Sequence, residues 1–171
     1  MVVEDGTGLT DSNSYVSVVF ADDYFSTRGV SKWETLTQTE KEQMLINATD
    51  YIDSIYQWKG KKLNSSQALR FPRENLFDYE GGKIEGVPTA LKQATCEAAS
   101  LIANGTILFQ TADSNGDVVS EKIGELAFTY SKKTSSAVTG ITPYDSINTK
   151  LRGLFIDPTK NSFVSGKVAR V

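Results

Sequence analysis

The strongest constraint on this fold is a pair of helical sequence patterns joined by a basic loop. The first pattern opens with Thr37-Gln-Thr-Glu40, a capping box in which the two end residues satisfy each other's backbone amides. Apolar residues then recur at helical spacing up to a stop at Gly60, at Met44, Leu45, Ala48, Ile52, Ile55 and Tyr56. These positions predict an amphipathic helix with one buried face.

The second helical pattern predicts a helix that packs against the first. It begins at Pro88, whose fixed φ suits the first helical position, and stops at Asn104-Gly105. Its apolar positions are Leu91, Ala94, Ala98, Leu101 and Ile102. Because several of these side chains are small, a neighbouring helix can approach closely, and we expect the two long helices to pack together.

Three weaker patterns lie outside this pair. Ser17 is a suitable cap for a short first helix that ends near Gly29. After the second long helix, two apolar runs flank the turn signal Asn115-Gly116 and predict a β-hairpin. Thr142 as cap and Pro143 at the first position predict a last short helix.

We therefore predict a mainly α fold: a small helical bundle with a β-hairpin extension and an extended C-terminal arm. Residues 1–16, rich in Gly, Asp, Ser and Thr, are expected to be a flexible N-terminal arm. Residues 17–105 form the helical bundle core and contain the basic loop, 59–87. Residues 106–130 form the hairpin, and 131–171 comprise a linker, the short helix and the C-terminal arm.

The composition argues against catalysis. The chain has no histidine and one cysteine, Cys96, which excludes histidine-dependent triads, the usual zinc sites and an internal disulfide. Cys96 lies among alanines in a helical pattern, which favours a buried packing residue. Asp50 and Asp53, or Asp22 and Asp23, could suggest a metal site. No third carboxylate completes a coordinating pattern, so a solvated helix face is the better interpretation.

We accordingly expect a chain that is not an enzyme and needs no cofactor or metal. No apolar run approaches the roughly 20 residues that cross a bilayer. The opening Met-Val-Val-Glu-Asp lacks the basic and hydrophobic regions of a signal peptide. These features predict synthesis in the cytoplasm and no membrane partner.

The loop between the long helices carries a local excess of positive charge. Between residues 59 and 73 the sequence has no acidic residue and five basic ones, Lys59, Lys61, Lys62, Arg70 and Arg73. These cations could neutralise phosphates while Trp58 and Phe71 offer stacking faces, which is typical of non-specific nucleic-acid binding. The net charge of −3 is far from the basicity of a dedicated duplex-DNA binder.

Two other interpretations of the loop remain open. Trp58 could close the core at the end of the helix, while Leu69 and Phe71 pin the loop to the body as buried anchors. The charges would then be solvated or would pair with an acidic neighbouring subunit. A loop of this length inside a compact domain is usually functional or disordered.

Several short motifs, in this order, resemble a family of bacteriophage proteins. They are Glu4-Asp5-Gly6-Thr-Gly8, Asn13-Ser-Tyr-Val16, Ala48-Thr-Asp50-Tyr-Ile-Asp53, Trp58-Lys-Gly60, Gln67-Ala-Leu-Arg-Phe-Pro-Arg73, Val87-Pro88 and the alanine-rich stretch from Ala94 to Ala99. The chain resembles the head-to-tail adaptor (connector, head-completion) proteins, whose members are also labelled DnaT-like single-stranded-DNA-binding proteins. Phe71 stands where a tryptophan is common in that family.

The resemblance implies a helical subunit that assembles as a ring, typically of about twelve copies, between portal and tail. The implied partners are further copies of this chain, the portal protein, tail or tail-completion proteins, and DNA contacted non-specifically in the channel. The implied location is the head–tail interface of the virion. The other label implies the alternative function, a DnaT-like single-stranded-DNA-binding protein.

Two sets of residues are candidates for these contacts. The first set, for the DNA channel or the next subunit, is Lys59, Lys61, Lys62, Arg70, Phe71 and Arg73. The second set, for docking on the portal or another partner, is the apolar stripe of the last helix with the basic tail: Tyr144, Ile147, Leu151, Leu154, Lys167 and Arg170. A basic tail of this kind suits an arm that orders on a partner.

Overall fold

The computed structural model describes residues 1–78, 80–109, 120–123, 126–129 and 144–156. In these ranges the helices are α1 (Val18–Ser26), α2 (Ser31–Glu34), α3 (Gln38–Ile55), α4 (Thr89–Ala103) and α5 (Asp145–Leu151). The strands are β1 (Lys61–Lys62), β2 (Arg73–Glu74), β3 (Ser120–Ile123) and β4 (Leu126–Thr129). β1 pairs antiparallel with β2, and β3 with β4. The predicted mainly α fold with a β-hairpin is confirmed.

Helix α3 starts where the capping box predicts. Thr37 Oγ1 accepts the backbone N–H of Glu40, and the Glu40 carboxylate accepts the N–H of Thr37 at 2.8 Å. The helix ends at Ile55, before the predicted stop at Gly60, because Tyr56 is already extended. Its inward face is formed by Leu45, Ala48, Thr49, Tyr51 and Ile52, all buried.

Helix α4 is the closest partner of α3, as expected. Pro88 occupies the N-cap, one position ahead of its predicted place, and Gly105 follows the Asn104 C-cap with a φ of +85°. The small residues of α4 are fully buried: Ala94, Cys96, Ala98 and Ala99. Their lack of bulk lets the two helix backbones approach closely, and this contact forms the centre of the core.

The N-terminal helices close one side of this pair. Ser17 caps α1 through a bond from the Phe20 N–H, as predicted. The single turn of α2 was not predicted, since four residues are too short to carry a helical period. Its Trp33 is buried and donates its indole N–H to Asp22 at 2.7 Å, while Lys41 pairs with the same carboxylate at 2.9 Å. Asp22 therefore joins α1, α2 and α3.

Helix α5 packs on α4. It begins at Asp145 after Tyr144, so it starts later than predicted, and the proposed cap residues 142 and 143 lie outside the described residues. Glu97 on α4 accepts the hydroxyl of Tyr24 at 2.6 Å and lies 3.7 Å from the ammonium of Lys150. This carboxylate connects α1, α4 and α5.

The described hairpin lies within the second of the two predicted apolar runs. Its register pairs Ile123 with Leu126 and Ser120 with Thr129. The turn predicted at Asn115-Gly116 lies outside the described residues.

The prediction for the segment from residue 1 to 16 was wrong. We expected a flexible arm, but the structure packs this segment on the body, with Glu4, Ser12, Ser14, Tyr15 and Val16 buried. A short bridge pairs Val3 with Ser14. Its Gly-rich composition serves a tight turn around a buried carboxylate rather than mobility. Among the described residues, no helix is long and apolar enough to span a membrane.

Candidate functional site

The basic loop is a twisted hairpin built directly on the end of α3. Lys61 pairs with Glu74 and Lys62 with Arg73, and the Leu63 N–H donates to the carbonyl of Pro72 at 3.2 Å. Gly60 makes the tight approach possible: its φ is +69°, and a Cβ there would lie 2.4 Å from the Glu74 carbonyl oxygen. Strands of two residues are too short to show an alternating pattern, so this hairpin was not predicted.

Tyr15 and Asp53 hold the far side of the hairpin. The Tyr15 hydroxyl donates to Asp53 Oδ1 at 2.6 Å and accepts the backbone N–H groups of Arg70 and Phe71, each at 3.1 Å. Asp53 Oδ2 also accepts the Arg70 N–H at 2.9 Å. Burial raises the pKa of Asp53 to about 6, against the opposing effect of these hydrogen bonds and of the Arg70 and Lys62 charges.

The interpretation of Asp53 as part of a solvated helix face is therefore wrong. Asp50, one turn away, is exposed as expected. Asp53 instead faces the loop and accepts a bond from its backbone. Asp50 and Asp53 therefore differ in role: the first is a surface residue and the second anchors the loop. Within the described parts of the chain, no group of three or more acidic or cysteine side chains could hold a metal ion.

The N-terminal segment supports the loop from a second side. Asn64 donates its side-chain amide to the Thr7 carbonyl at 2.9 Å, and the Ala68 N–H donates to the Leu9 carbonyl at 2.9 Å. Inside the loop, the buried Gln67 amide donates to the carbonyls of Leu69 and Pro72. The shape of the loop is therefore held both by bonds inside it and by bonds from the N-terminal segment.

The five basic residues divide into two structural groups. The guanidinium of Arg73 is hydrogen-bonded to the loop itself. It donates to the carbonyls of Lys59 at 2.6 Å, Gly60 at 2.8 Å and Arg70 at 3.0 Å. Lys62 donates to the Gln67 carbonyl at 3.0 Å. These two side chains brace the hairpin through bonds to its backbone carbonyls.

The other three cations are the exposed ones: Lys59, Lys61 and Arg70. They project from a backbone that Arg73, Gln67 and Asp53 hold in place. The exposed charge of the loop is therefore displayed on a fixed frame, which reduces the entropy lost when a partner binds.

The two aromatic residues proposed for stacking, Trp58 and Phe71, are not available for it. Phe71 is 0% exposed and Trp58 is 7% exposed. Their rings meet edge to face at 4.9 Å, and Phe71 also contacts Tyr15. Leu69 is buried as well. The buried-anchor interpretation of Leu69 and Phe71 is thus correct, and Phe71 is removed from the candidate DNA contacts.

The C-terminal end of the described chain runs beside the start of the loop. The Lys59 N–H donates to the Leu154 carbonyl at 3.0 Å, and the Ile156 N–H donates to the Gln57 carbonyl at 2.7 Å. The Phe155 ring packs on Tyr56 with centroids 4.9 Å apart. Residues 154–156 therefore lie next to the start of the basic loop.

The predicted docking stripe of the last helix is corrected by the structure. Ile147 and Leu151 are fully buried and Leu154 is 5% exposed, because this face of α5 covers α4. Tyr144 is half-buried against Tyr51. The apolar stripe of α5 is buried as predicted, but it packs on the chain's own core and not on another protein. Lys167 and Arg170 lie outside the described residues.

Exposed apolar side chains occur elsewhere on the body. Ile107 is 67% exposed and Phe109 is 48% exposed, directly after α4. Phe77, beyond β2, is 52% exposed. Phe109 and Tyr144, at the two ends of the segment 110–143, both contact the ring of Tyr51. The described residues on either side of this segment therefore meet at one aromatic side chain.

Cys96 is the buried packing residue that the sequence predicted. It is fully buried in α4, and burial raises the pKa of its thiol to about 12. The thiolate needed for nucleophilic chemistry is therefore disfavoured at neutral pH.

Comparison with known proteins adds one result. No curated protein and no solved structure is significantly similar to the chain. One family does match, over residues 1–171, and its description reads "Putative DnaT-like ssDNA binding protein". Because the match spans the whole chain, the chain belongs to this DnaT-like family.

Proposed function

We propose that this chain is a structural adaptor subunit of a tailed bacteriophage. It would assemble as a ring between the portal and the tail, in the virion, and hold its basic loop against the DNA backbone in the channel. It would act without catalysis or cofactor. The resemblance of its ordered motifs to head-to-tail adaptors supports this function.

The observation that carries the proposal is the construction of the basic loop. The exposed cations Lys59, Lys61 and Arg70 stand on a braced hairpin, whereas the rings of Trp58 and Phe71 beside them are buried. Phosphate contacts carry no sequence information and are available on duplex and single strands alike. A channel wall needs this kind of contact, since packaged DNA of any sequence must pass it.

A second candidate function is single-stranded-DNA binding, which the family description favours. Such binding gains about 1–3 kcal/mol per base from stacking on aromatic side chains. Among the described residues, Phe77 favours it, because this half-exposed ring lies three residues beyond β2. Trp58 and Phe71 cannot contribute while they remain in the core.

Electron microscopy with a portal protein tests the adaptor function. The chain should form a ring seated on one end of the portal when the two purified proteins are mixed. The portal alone and the chain alone are the controls. A chain that neither assembles nor binds the portal, while it binds single-stranded DNA in preference to duplex, would establish the second candidate instead.

A charge-deletion pair tests the loop separately. Lys61→Ser with Arg70→Ser removes two exposed loop cations, and Arg28→Ser with Lys32→Ser removes two exposed cations outside the loop. If the loop contacts phosphates, the first pair should reduce the slope of log affinity against log salt by about 2, and the control pair should not.

A further inference from the structure

We infer that Tyr15, an uncharged residue far from the loop in sequence, positions Arg70 for contact with nucleic-acid phosphates. The inference rests on the proposed DNA contact of the basic loop and assigns it a positioning residue. Three hydrogen bonds meet at the Tyr15 hydroxyl, one donated to Asp53 and two accepted from the N–H groups of Arg70 and Phe71.

The backbone of Arg70 has few other supports at this point. Its N–H is shared between Tyr15 Oη and Asp53 Oδ2, at 3.1 and 2.9 Å, and its carbonyl accepts the Arg73 guanidinium at 3.0 Å. All these partners are side chains. The residue is therefore held by groups that a single substitution can remove while the backbone pairing of β1 and β2 remains.

The position of Tyr15 makes it a link between three segments. It lies at the end of the N-terminal segment, its hydroxyl contacts α3 through Asp53, and its ring meets Phe71 edge to face at 6.2 Å. Its side chain is fully buried. Removing only the hydroxyl keeps this packing and deletes the bonds to the loop backbone.

Phosphate contact by one arginine depends on orientation. The guanidinium presents a planar fork of N–H donors that matches phosphate oxygens in particular directions. When the Arg70 backbone is released, the charge remains but its direction is averaged over more rotamers. Binding then costs more ordering entropy, while the number of neutralised phosphates changes little.

Two matched hydroxyl deletions test the inference. Tyr15→Phe removes the hydroxyl at which the three hydrogen bonds meet. Tyr24→Phe removes a hydroxyl that makes an equally short bond, 2.6 Å, to the carboxylate of Glu97. We expect Tyr15→Phe to weaken DNA binding roughly two- to tenfold, the range that one lost hydrogen bond gives. Tyr24→Phe should leave the affinity unchanged.

A double-mutant cycle separates positioning from general destabilisation. If Tyr15 acts through Arg70, Tyr15→Phe should have no further effect on affinity in an Arg70→Ser background, yet keep its full effect in a Lys61→Ser background. Equal effects of Tyr15→Phe in all backgrounds, or an affinity like that of the wild type, would overturn the inference.

Amide hydrogen exchange gives a readout that does not need DNA. Tyr15→Phe should lower the protection of the Arg70 and Phe71 amides, with amides of α4 unchanged, and Tyr24→Phe should spare both regions. If the wild type binds no DNA, the proposed DNA contact fails on its own, and this exchange result still decides whether Tyr15 positions the loop. Unchanged protection at Arg70 and Phe71 overturns the positioning role.

Discussion

The carboxylate of Glu4 accepts the backbone N–H of Gly8 at 2.9 Å while it is 3% exposed. The same carboxylate accepts the N–H groups of Gly6 and Leu9 and the hydroxyl of Ser12, each within 3.0 Å. The Gly-rich turn is thus a cage of donors around an internal anion. It presents the carbonyls of Thr7 and Leu9 to the basic loop.

Glu4→Gln should destabilise the protein, because the amide group turns one acceptor oxygen into a donor that faces backbone N–H groups. Bonds to a charged acceptor contribute about 1.5–3 kcal/mol, and we expect a loss of free energy of unfolding in that range. Urea denaturation measures it. Asp11→Asn, at an exposed site, is the control. Equal stability of Glu4→Gln and the wild type would refute the cage.

Gly60→Ala should distort the basic loop more than a matched glycine substitution. Gly60 and Gly29 have nearly the same φ, +69° and +67°, but only the new Cβ at Gly60 would meet another atom, the Glu74 carbonyl oxygen at 2.4 Å. Left-handed backbone alone costs about 1–2 kcal/mol in a non-glycine residue. Gly29→Ala should lose about that much, and Gly60→Ala clearly more.

Denaturation gives both values, and exchange at the β1–β2 amides localises the effect. Similar losses of unfolding free energy for Gly60→Ala and Gly29→Ala would mean that the hairpin accommodates the new Cβ without further destabilisation. The close approach of β2 to Gly60 would then not matter for the loop.

Leu151→Ala should lower the free energy of unfolding by about 2–5 kcal/mol, since it opens a cavity between α5 and α4. Leu151 is fully buried, whereas Ile107 is 67% exposed. Ile107→Ala should therefore change stability by less than about 0.5 kcal/mol. Thermal or urea unfolding compares the two. A neutral Leu151→Ala would restore the docking role that the sequence suggested for this face.

The pH dependence of stability should carry the signature of Asp53. Burial raises the pKa of this carboxyl from 3.8 to about 6 in the folded chain, so the folded state binds the proton more tightly than the unfolded state. The contribution of Asp53 to the free energy of unfolding is therefore largest below about pH 4 and is lost as the pH rises through 6.

Asp53→Asn removes this titration and tests it. The difference in unfolding free energy between wild type and variant should shift by the order of 2–3 kcal/mol between about pH 4 and 7, in favour of the wild type at low pH. A constant difference across this range would mean that Asp53 titrates like a solvated carboxyl.

The long helices could be predicted from sequence because their signals are local. The capping box at Thr37 and the stop at Asn104-Gly105 involve residues that contact each other within one turn. The small apolar face of α4 is likewise a period within one segment. Such features need no knowledge of the rest of the chain.

The site could not be predicted in the same way because its bonds are distant in sequence. Tyr15 reaches Asp53 and the backbone of Arg70, and Asn64 reaches Thr7. The sequence did single out the motifs that contain these residues, through a family resemblance, but no spacing rule indicated that they meet. The bracing role of Arg73 was missed for the same reason. Its charge is visible in the sequence, whereas the carbonyl groups that it binds are not.

The burial of α5 shows a related limit. An apolar stripe at Ile147, Leu151 and Leu154 predicts that a partner exists and does not say which one. The resemblance to ring-forming adaptors suggested an external partner for this stripe. The structure instead brings the chain back at Tyr144 to the residue that Phe109 touches, Tyr51.

The most direct test of the account is the salt dependence of binding to duplex and single-stranded DNA of one length and sequence. A braced loop that contacts phosphates through Lys59, Lys61 and Arg70 predicts binding to both, lost steeply with salt, with slopes near −0.9 and −0.7 for each phosphate contacted. Tight, salt-insensitive binding to single strands, with none to duplex, would contradict it, because that pattern requires base stacking, and the rings of Trp58 and Phe71 are buried in this structure.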